Sequence, residues 1–246
     1  VSSVALIFFV LTSKGALEFS LHPAMYSVAF AFCYIFAVVG LIKSIEYGPL
    51  SISSLINQCS LIIPVFYGIV ILKEKLGVLG YTGIVLLFMC LFLVTPRNTD
   101  KVKTQIQKQW FLWVFIGFAG NGMCSTVQKM QQLKFDGAYK NEFMIIALFI
   151  SASIMSILSF ITNKEKRDVP TILKYASIQG VANGIVNLLV MIMTAFLPSA
   201  ILFPWVLAGG MIITFIISVT VFREKLAIQQ LIGYAIGMLS IFFLNV

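Results

Sequence analysis

The chain has 246 residues, of which 60% are hydrophobic and 11% charged, and a formal net charge of +8, with a mean hydropathy of +1.01. A soluble globule of this size cannot hide that much apolar surface. The four cysteines each stand alone in an apolar stretch, so neither a disulfide framework nor a metal site is indicated. The basic residues lie in short connections between apolar runs, which assigns the charge to loops and lipid headgroups and argues against nucleic acid.

Apolar runs of roughly 20 residues recur along the chain, the length a helix needs to cross hydrocarbon. A bilayer requires internally satisfied backbone, so the runs predict helices. They are continuously apolar and lack the alternation of a membrane barrel. The expected fold class is an all-α polytopic membrane protein embedded in the cell's cytoplasmic membrane. The first run, Val1 to Thr12, is too short to cross and reads as the tail of a helix whose beginning is absent. The next connection contains Lys14, Glu18 and the sole histidine, His22, which reads as an interfacial residue beside Pro23. Further runs cover about Ala24 to Ile42, Leu50 to Leu72 and Leu76 to Thr95. Residues 96–109 form the longest polar stretch and the natural linker. Beyond it come Trp110 to Gln128, Glu142 to Ile161, Ile172 to Phe196, Pro198 to Phe222 and Leu226 to Val246.

One unit occurs twice. GPLSISSLINQCSLIIPVFYGIVI leads through Lys73-Glu74-Lys75-Leu76 into GVLGYTGIVLLFMCLFLV, and LPSAILFPWVLAGGMIITFIISVTVF leads through Arg223-Glu224-Lys225-Leu226 into AIQQLIGYAIGMLSIFFLNV. Aligning the glutamates gives an offset of 224 − 74 = 150, at which Gly83 meets Gly233, Ile62-Ile63 meets Ile212-Ile213 and Phe92 meets Phe242. A helix, a charged corner and a Gly-bearing helix used twice mark a duplicated membrane unit. Four runs precede the linker and five follow it, so the missing helix belongs at the front. Five helices per unit is an odd number, and tandem odd units cross the membrane in opposite senses, which generates an inverted repeat. The domains expected are residues 1–95 as the first repeat and 110–246 as the second.

The GPLSISSLI…IIP…KEKL…G pattern, with its echo ending in REKL…G, resembles the drug/metabolite transporter superfamily in its EamA-type ten-helix form. The resemblance covers essentially the whole chain except helix one. It implies two five-helix repeats around a central cavity, lined in part by the fourth and ninth helices, and transport of small organic solutes such as amino acids, metabolites or drugs. Alternating access in the direction of export, as a monomer or homodimer, is the expected mode.

Polar side chains at hydrocarbon depth are costly and tend to face a cavity or a partner helix. Gln179, Asn183 and Asn187 are spaced i, i+4, i+8, which puts three amides along one helix face. Asn121, Ser125 and Gln128 follow i, i+4, i+7; Ser53, Asn57 and Ser60 do the same, with Pro64 one turn on. Two readings stay open: interhelical hydrogen bonding, or walls of one wet cavity bordered by Asn57, Ser60, Asn121, Ser125, Gln128, Gln179, Asn183 and Asn187, with Trp205 as an aromatic wall. Such a lining suits neutral or zwitterionic solutes. Glu74 and Glu224 are expected to pair with neighbouring Lys or Arg. No Asp or Glu lies mid-span, and the helix that carries the carboxylate in related exporters is the one absent, so protons as coupling ion remain a candidate only. Loops on the linker side hold eleven Lys and Arg against six, Lys129 among them, on the other, which conflicts with the orientation the resemblance implies. No cofactor is expected. A membrane enzyme is disfavoured, because the chain has one His and no D-x-x-x-D motif; a non-transporting helical subunit is the remaining alternative.

Overall fold

The computed structural model describes residues 1–12, 21–48, 50–75, 77–94, 108–162, 169–220 and 228–244. Among them the chain is 91% helix and contains no strand. Residues 96–107 of the linker, the Arg223–Leu226 corner, Leu76 and the His22 side chain lie outside the described residues, and the linker's last two residues, Lys108 and Gln109, already belong to a helix. The helices are α1 Ser2–Thr12, α2 Leu21–Tyr47, α3 Leu50–Cys59, α4 Ile62–Phe66, α5 Val78–Val94, α6 Lys108–Lys134, α7 Lys140–Thr162, α8 Val169–Phe196, α9 Ser199–Thr220 and α10 Ile228–Leu244.

Two expected runs differ in the structure. The span from Leu50 to Leu72 is not one helix: α3 ends at Cys59, α4 restarts at Ile62, and a π-helical turn, Tyr67–Ile71, completes it. Pro64 supplies no N–H, and beyond it the ladder slips until Leu72 N–H donates to Tyr67 O, five residues back, at 3.1 Å. The run expected to stop at Gln128 continues as α6 to Lys134. Its last residues, Lys129-Met130-Gln131-Gln132-Leu133-Lys134, contain no Gly, Pro or β-branched residue to end a helix. By contrast α9 runs unbroken through Pro204.

Among the described residues, four helical segments are long and apolar enough to cross a membrane: Pro23–Tyr47, Lys108–Lys134, Lys140–Leu158 and Lys174–Phe196. Shorter apolar helices accompany them, α5 and α10 with 17 residues each, or about 26 Å of helix at 1.5 Å per residue. Several hydroxyls inside the helices bond to their own backbone. Ser44, Thr82, Ser151, Ser153 and Thr220 donate to carbonyls three or four residues earlier at 2.6–2.8 Å.

Helix boundaries repeat at the offset seen in the sequence. Adding 150 to α5, 78–94, gives 228–244, the bounds of α10. Shifted likewise, α2 becomes 171–197 against α8 at 169–196, and α3 through the π turn becomes 200–221 against α9 at 199–220. The end of α1, Thr12, meets the end of α7, Thr162.

By contact the chain divides into two compact units, each drawing on both sequence halves. One comprises Val1–Ile35 and Thr126–Phe196. There α1 packs on α7 and α8, with Gly180 against Val4 and Gly184 against Phe8, and Phe30 set edge-on to Phe143 at 5.4 Å. The other unit comprises Phe36–Ser125 and Leu197–Val246. In it α5 packs along α10, and α9 lies against α4 and the π turn. Leu87, Cys90, Leu207, Ala208 and Tyr234 form one buried apolar cluster there. Gly40 of α2 and Gly117 of α6 bring two backbones into direct contact, the close approach that small residues permit between membrane helices.

Candidate solute-binding clusters

The expected site residues fall into two sets, one in each unit. Asn57, Ser60, Asn121, Ser125 and Trp205 belong to the second; Gln128, Gln179, Asn183 and Asn187 belong to the first.

In the second unit the break between α3 and α4 forms the set. Asn121 on α6 donates through Nδ2 to Ser60 Oγ at 2.6 Å and to Asn57 O at 3.3 Å. One turn is therefore held open by an amide from a neighbouring helix, with Ser60 fully buried. Gly122 makes room for this, because a side chain there would meet Ser60 O and Ile63. Two turns earlier on α3, Ser53 Oγ accepts from Trp110 Nε1 at 2.9 Å. Asn57 Oδ1 is buried and has no hydrogen-bond partner among the described residues. Ser125 is half-buried, and Trp205 is exposed beside the buried Pro204.

In the first unit the amides of α6 and α8 form a relay. Gln128 Nε2 donates to Asn187 Oδ1 at 2.8 Å, and Asn187 Nδ2 donates to Asn183 Oδ1 at 2.6 Å and Asn183 O at 2.8 Å. Gln128 is buried; Gln179, one turn further along α8, is exposed. Of the three residues of that stripe, the structure joins Asn187 to α6 and Asn183 to Asn187, and leaves Gln179 outside the relay.

Two functional-looking residues escaped the sequence reading. Lys129, counted there as a loop residue, lies inside α6 and is 3% exposed. Its Nζ donates to Thr194 O in the last turn of α8 at 2.9 Å, where a cation also meets the negative end of the helix dipole. The signal was available, since Lys129 directly follows Gln128 with nothing helix-breaking until Lys134. The other is Glu74. Rather than serving only its own corner, its carboxylate accepts from Ser199 N–H at 2.9 Å and Ala200 N–H at 3.0 Å, capping α9. Lys73 takes a left-handed φ of 54° in the corner that presents Glu74, and Gly68 leaves room for the carboxylate against Ser199. That contact is 125 residues apart in sequence, and no local pattern announces it.

Among the described residues no group of three or more His, Cys, Asp or Glu is placed to hold a metal. Among the described residues the chemistry on offer is neutral hydrogen bonding, with one ammonium, Lys129, and one carboxylate, Glu142, buried in the first unit.

Neither a known family's sequence profile nor a curated protein matches the chain. Solved structures do: a crystal structure superimposes on 100% of this chain and 84% of its own, with a TM-score of 0.76 at 11% sequence identity. A likeness at that identity establishes the fold and says nothing of the solute.

Proposed function

We propose that the chain is a multi-pass protein of the cytoplasmic membrane that transports small polar organic solutes by alternating access, in the direction of export. The observation that carries this reading is the reversed polarity of the molecule. Large apolar side chains stand exposed on helix after helix, among them Phe92, Phe111, Phe115, Phe149 and Phe196, while Gln128, Lys129, Gln131, Gln132 and Glu142 are buried. Exposed apolar surface of that extent needs lipid, and buried polar residues at membrane depth are the usual mark of a solute path. The matching helix bounds at an offset of 150 support two inverted repeats. The broken α3–α4 segment, crossed by Asn121, is the kind of discontinuous helix on which transporters build their sites. All of this agrees with the EamA-type resemblance.

A non-transporting helical subunit is the second reading, favoured by the amides spending their bonds on one another. Flux separates the two. Protein in liposomes is expected to move neutral or zwitterionic amino acids saturably and cationic dyes poorly, and Asn183→Ala and Asn187→Ala are each expected to lower the flux about tenfold, the effect of one lost oriented hydrogen bond. Unchanged flux in both variants would reduce the relay to packing.

A further inference from the structure

The amide relay between α6 and α8 has a direction, and the direction decides what its open end can bind. Asn187 Nδ2 donates to the backbone oxygen of Asn183 at 2.8 Å. A backbone carbonyl only accepts, so this contact fixes which end of the Asn187 amide is nitrogen. Asn187 Oδ1 therefore faces α6, where it accepts from Gln128 Nε2 at 2.8 Å. The same Asn187 nitrogen reaches Asn183 Oδ1 at 2.6 Å. The oxygen of Asn183 is thus spent on the relay, and its NH2 is left as the terminus.

That NH2 donates to none of the described residues. Nor is it sealed in: Asn183 is half-buried, and Gln179, one turn earlier on the same face of α8, is exposed. The packing of α8 shows why this stretch is left over. Gly180 and Gly184 seat Val4 and Phe8 of α1, and Asn187 is taken by α6. The depth matters as much. The apolar segment Lys174–Phe196 has 23 residues, and Asn183 lies two residues from its middle, about 3 Å along the axis at 1.5 Å per residue. Hydrocarbon holds no acceptor, and an amide left unpaired in it is costly. A donor accessible at mid-span therefore faces a polar path, and what travels that path must bring an acceptor.

The relay also strengthens its terminus. An amide that accepts at its oxygen donates better from its nitrogen. Gln128, Asn187 and Asn183 are joined in one sense, with the positive ends of their dipoles toward Asn183. An anionic oxygen gains most at such an end, since charge-assisted hydrogen bonds are roughly twice as strong as neutral ones. An ammonium, which has donors only, gains nothing there. This preference is set by the amides and does not draw on Lys129 or Glu142, which are buried in the same unit.

We propose that Asn183 Nδ2 is the solute contact of the relay and binds a carboxylate oxygen, whether of a free organic acid or of an amino acid. Asn187 and Gln128 are positioning residues that keep the NH2 of Asn183 at the open end. The inference rests on the transporter reading and narrows it from polar solutes to those that carry a carboxylate.

The test is equilibrium binding to the purified chain in detergent, read by thermal stabilisation with probes that share a skeleton and differ in their ends. L-leucine is compared with isocaproate and isoamylamine, L-serine with hydracrylate and ethanolamine, and L-phenylalanine with hydrocinnamate and phenethylamine. In at least one set a carboxylate-bearing compound is expected to bind about tenfold or more tightly than the amine, the worth of one charge-assisted contact. Stabilisation by the acid as well as the amino acid marks a free organic acid as sufficient; stabilisation by the amino acid alone marks an amino acid. Asn183→Leu, an apolar change suited to mid-span, is expected to bring the carboxylate compounds down to the level of the amine, whereas damage to packing alone would weaken all three together. Asn183→Asp keeps an oxygen for Asn187 and puts a second one in place of the NH2, and is expected to turn the preference toward the amine. Stabilisation by no carboxylate, with water as the sole occupant, or a carboxylate preference that survives either substitution, overturns the inference. Flux of a solute without a carboxylate would in that event leave the transporter reading standing; absence of any flux would remove both.

Discussion

Replacing Gly40 by leucine is expected to abolish the folded protein in detergent or to lower its stability by at least about 3 kcal/mol, the upper range for overpacking a filled interior. A Cβ placed on Gly40 would sit 2.6 Å from Gly117 Cα and 3.0 Å from Trp113 O. Those obstacles are backbone atoms of another helix and cannot rotate away, so even Gly40→Ala forces α2 and α6 apart. The movement would propagate to Asn121, one turn beyond Gly117 on α6, and loosen its hold on Ser60. Gly209 provides the contrast. Nothing lies within 4 Å of a Cβ there, and Gly209→Ala is expected to be neutral or stabilising by up to about 1 kcal/mol through helix propensity. Unfolding by denaturing detergent, measured for both variants, checks the pair.

The second large effect is expected at Glu74. Glu74→Ala takes the carboxylate away from two amides at the start of α9, where Ser199 and Ala200 are fully buried. An unpaired buried N–H costs about 1–3 kcal/mol, and lost caps cost about 0.5–2 kcal/mol. A destabilisation of about 3 kcal/mol follows, read by the same unfolding assay. Glu74→Gln keeps an acceptor oxygen but sets an NH2 against the second amide, so it should fall between wild type and alanine. Equal stability of the alanine variant would show that α9 does not depend on this cap.

What the sequence revealed, and what it hid, follows from the range of the forces involved. Helices were legible because continuous apolar runs and bilayer length leave little else to form, and the duplicated corner fixed an offset that the bounds of α5 and α10 reproduce to the residue. The relay between Gln128, Asn187 and Asn183 was foreshadowed by amides on single helix faces, although the pairing between α6 and α8 was not. The break at Ser60–Leu61 was only half visible. Pro64 announced a weakened ladder, but not that Asn121 would arrive from α6 to donate to Asn57 O and Ser60 Oγ at the break. Lys129 was misplaced because a charged residue near an expected helix end reads as loop, whereas here the end of α8 supplies a carbonyl that makes burial tolerable. Glu74 was read through its sequence neighbours, and its principal backbone partners lie 125 and 126 residues away.

The central claim, two repeats crossing a membrane in opposite senses, is open to one direct measurement. Val78 and Ile228 begin α5 and α10, stand 150 residues apart, and are 80% and 77% exposed. Single cysteines placed there, in a chain whose four native cysteines have been replaced, are labelled with a membrane-impermeant maleimide in intact cells and again after permeabilisation. Inverted repeats predict that one of the two reacts in intact cells and the other only once the membrane is opened. Reaction of both under the same condition would place α5 and α10 in the same sense and contradict the account.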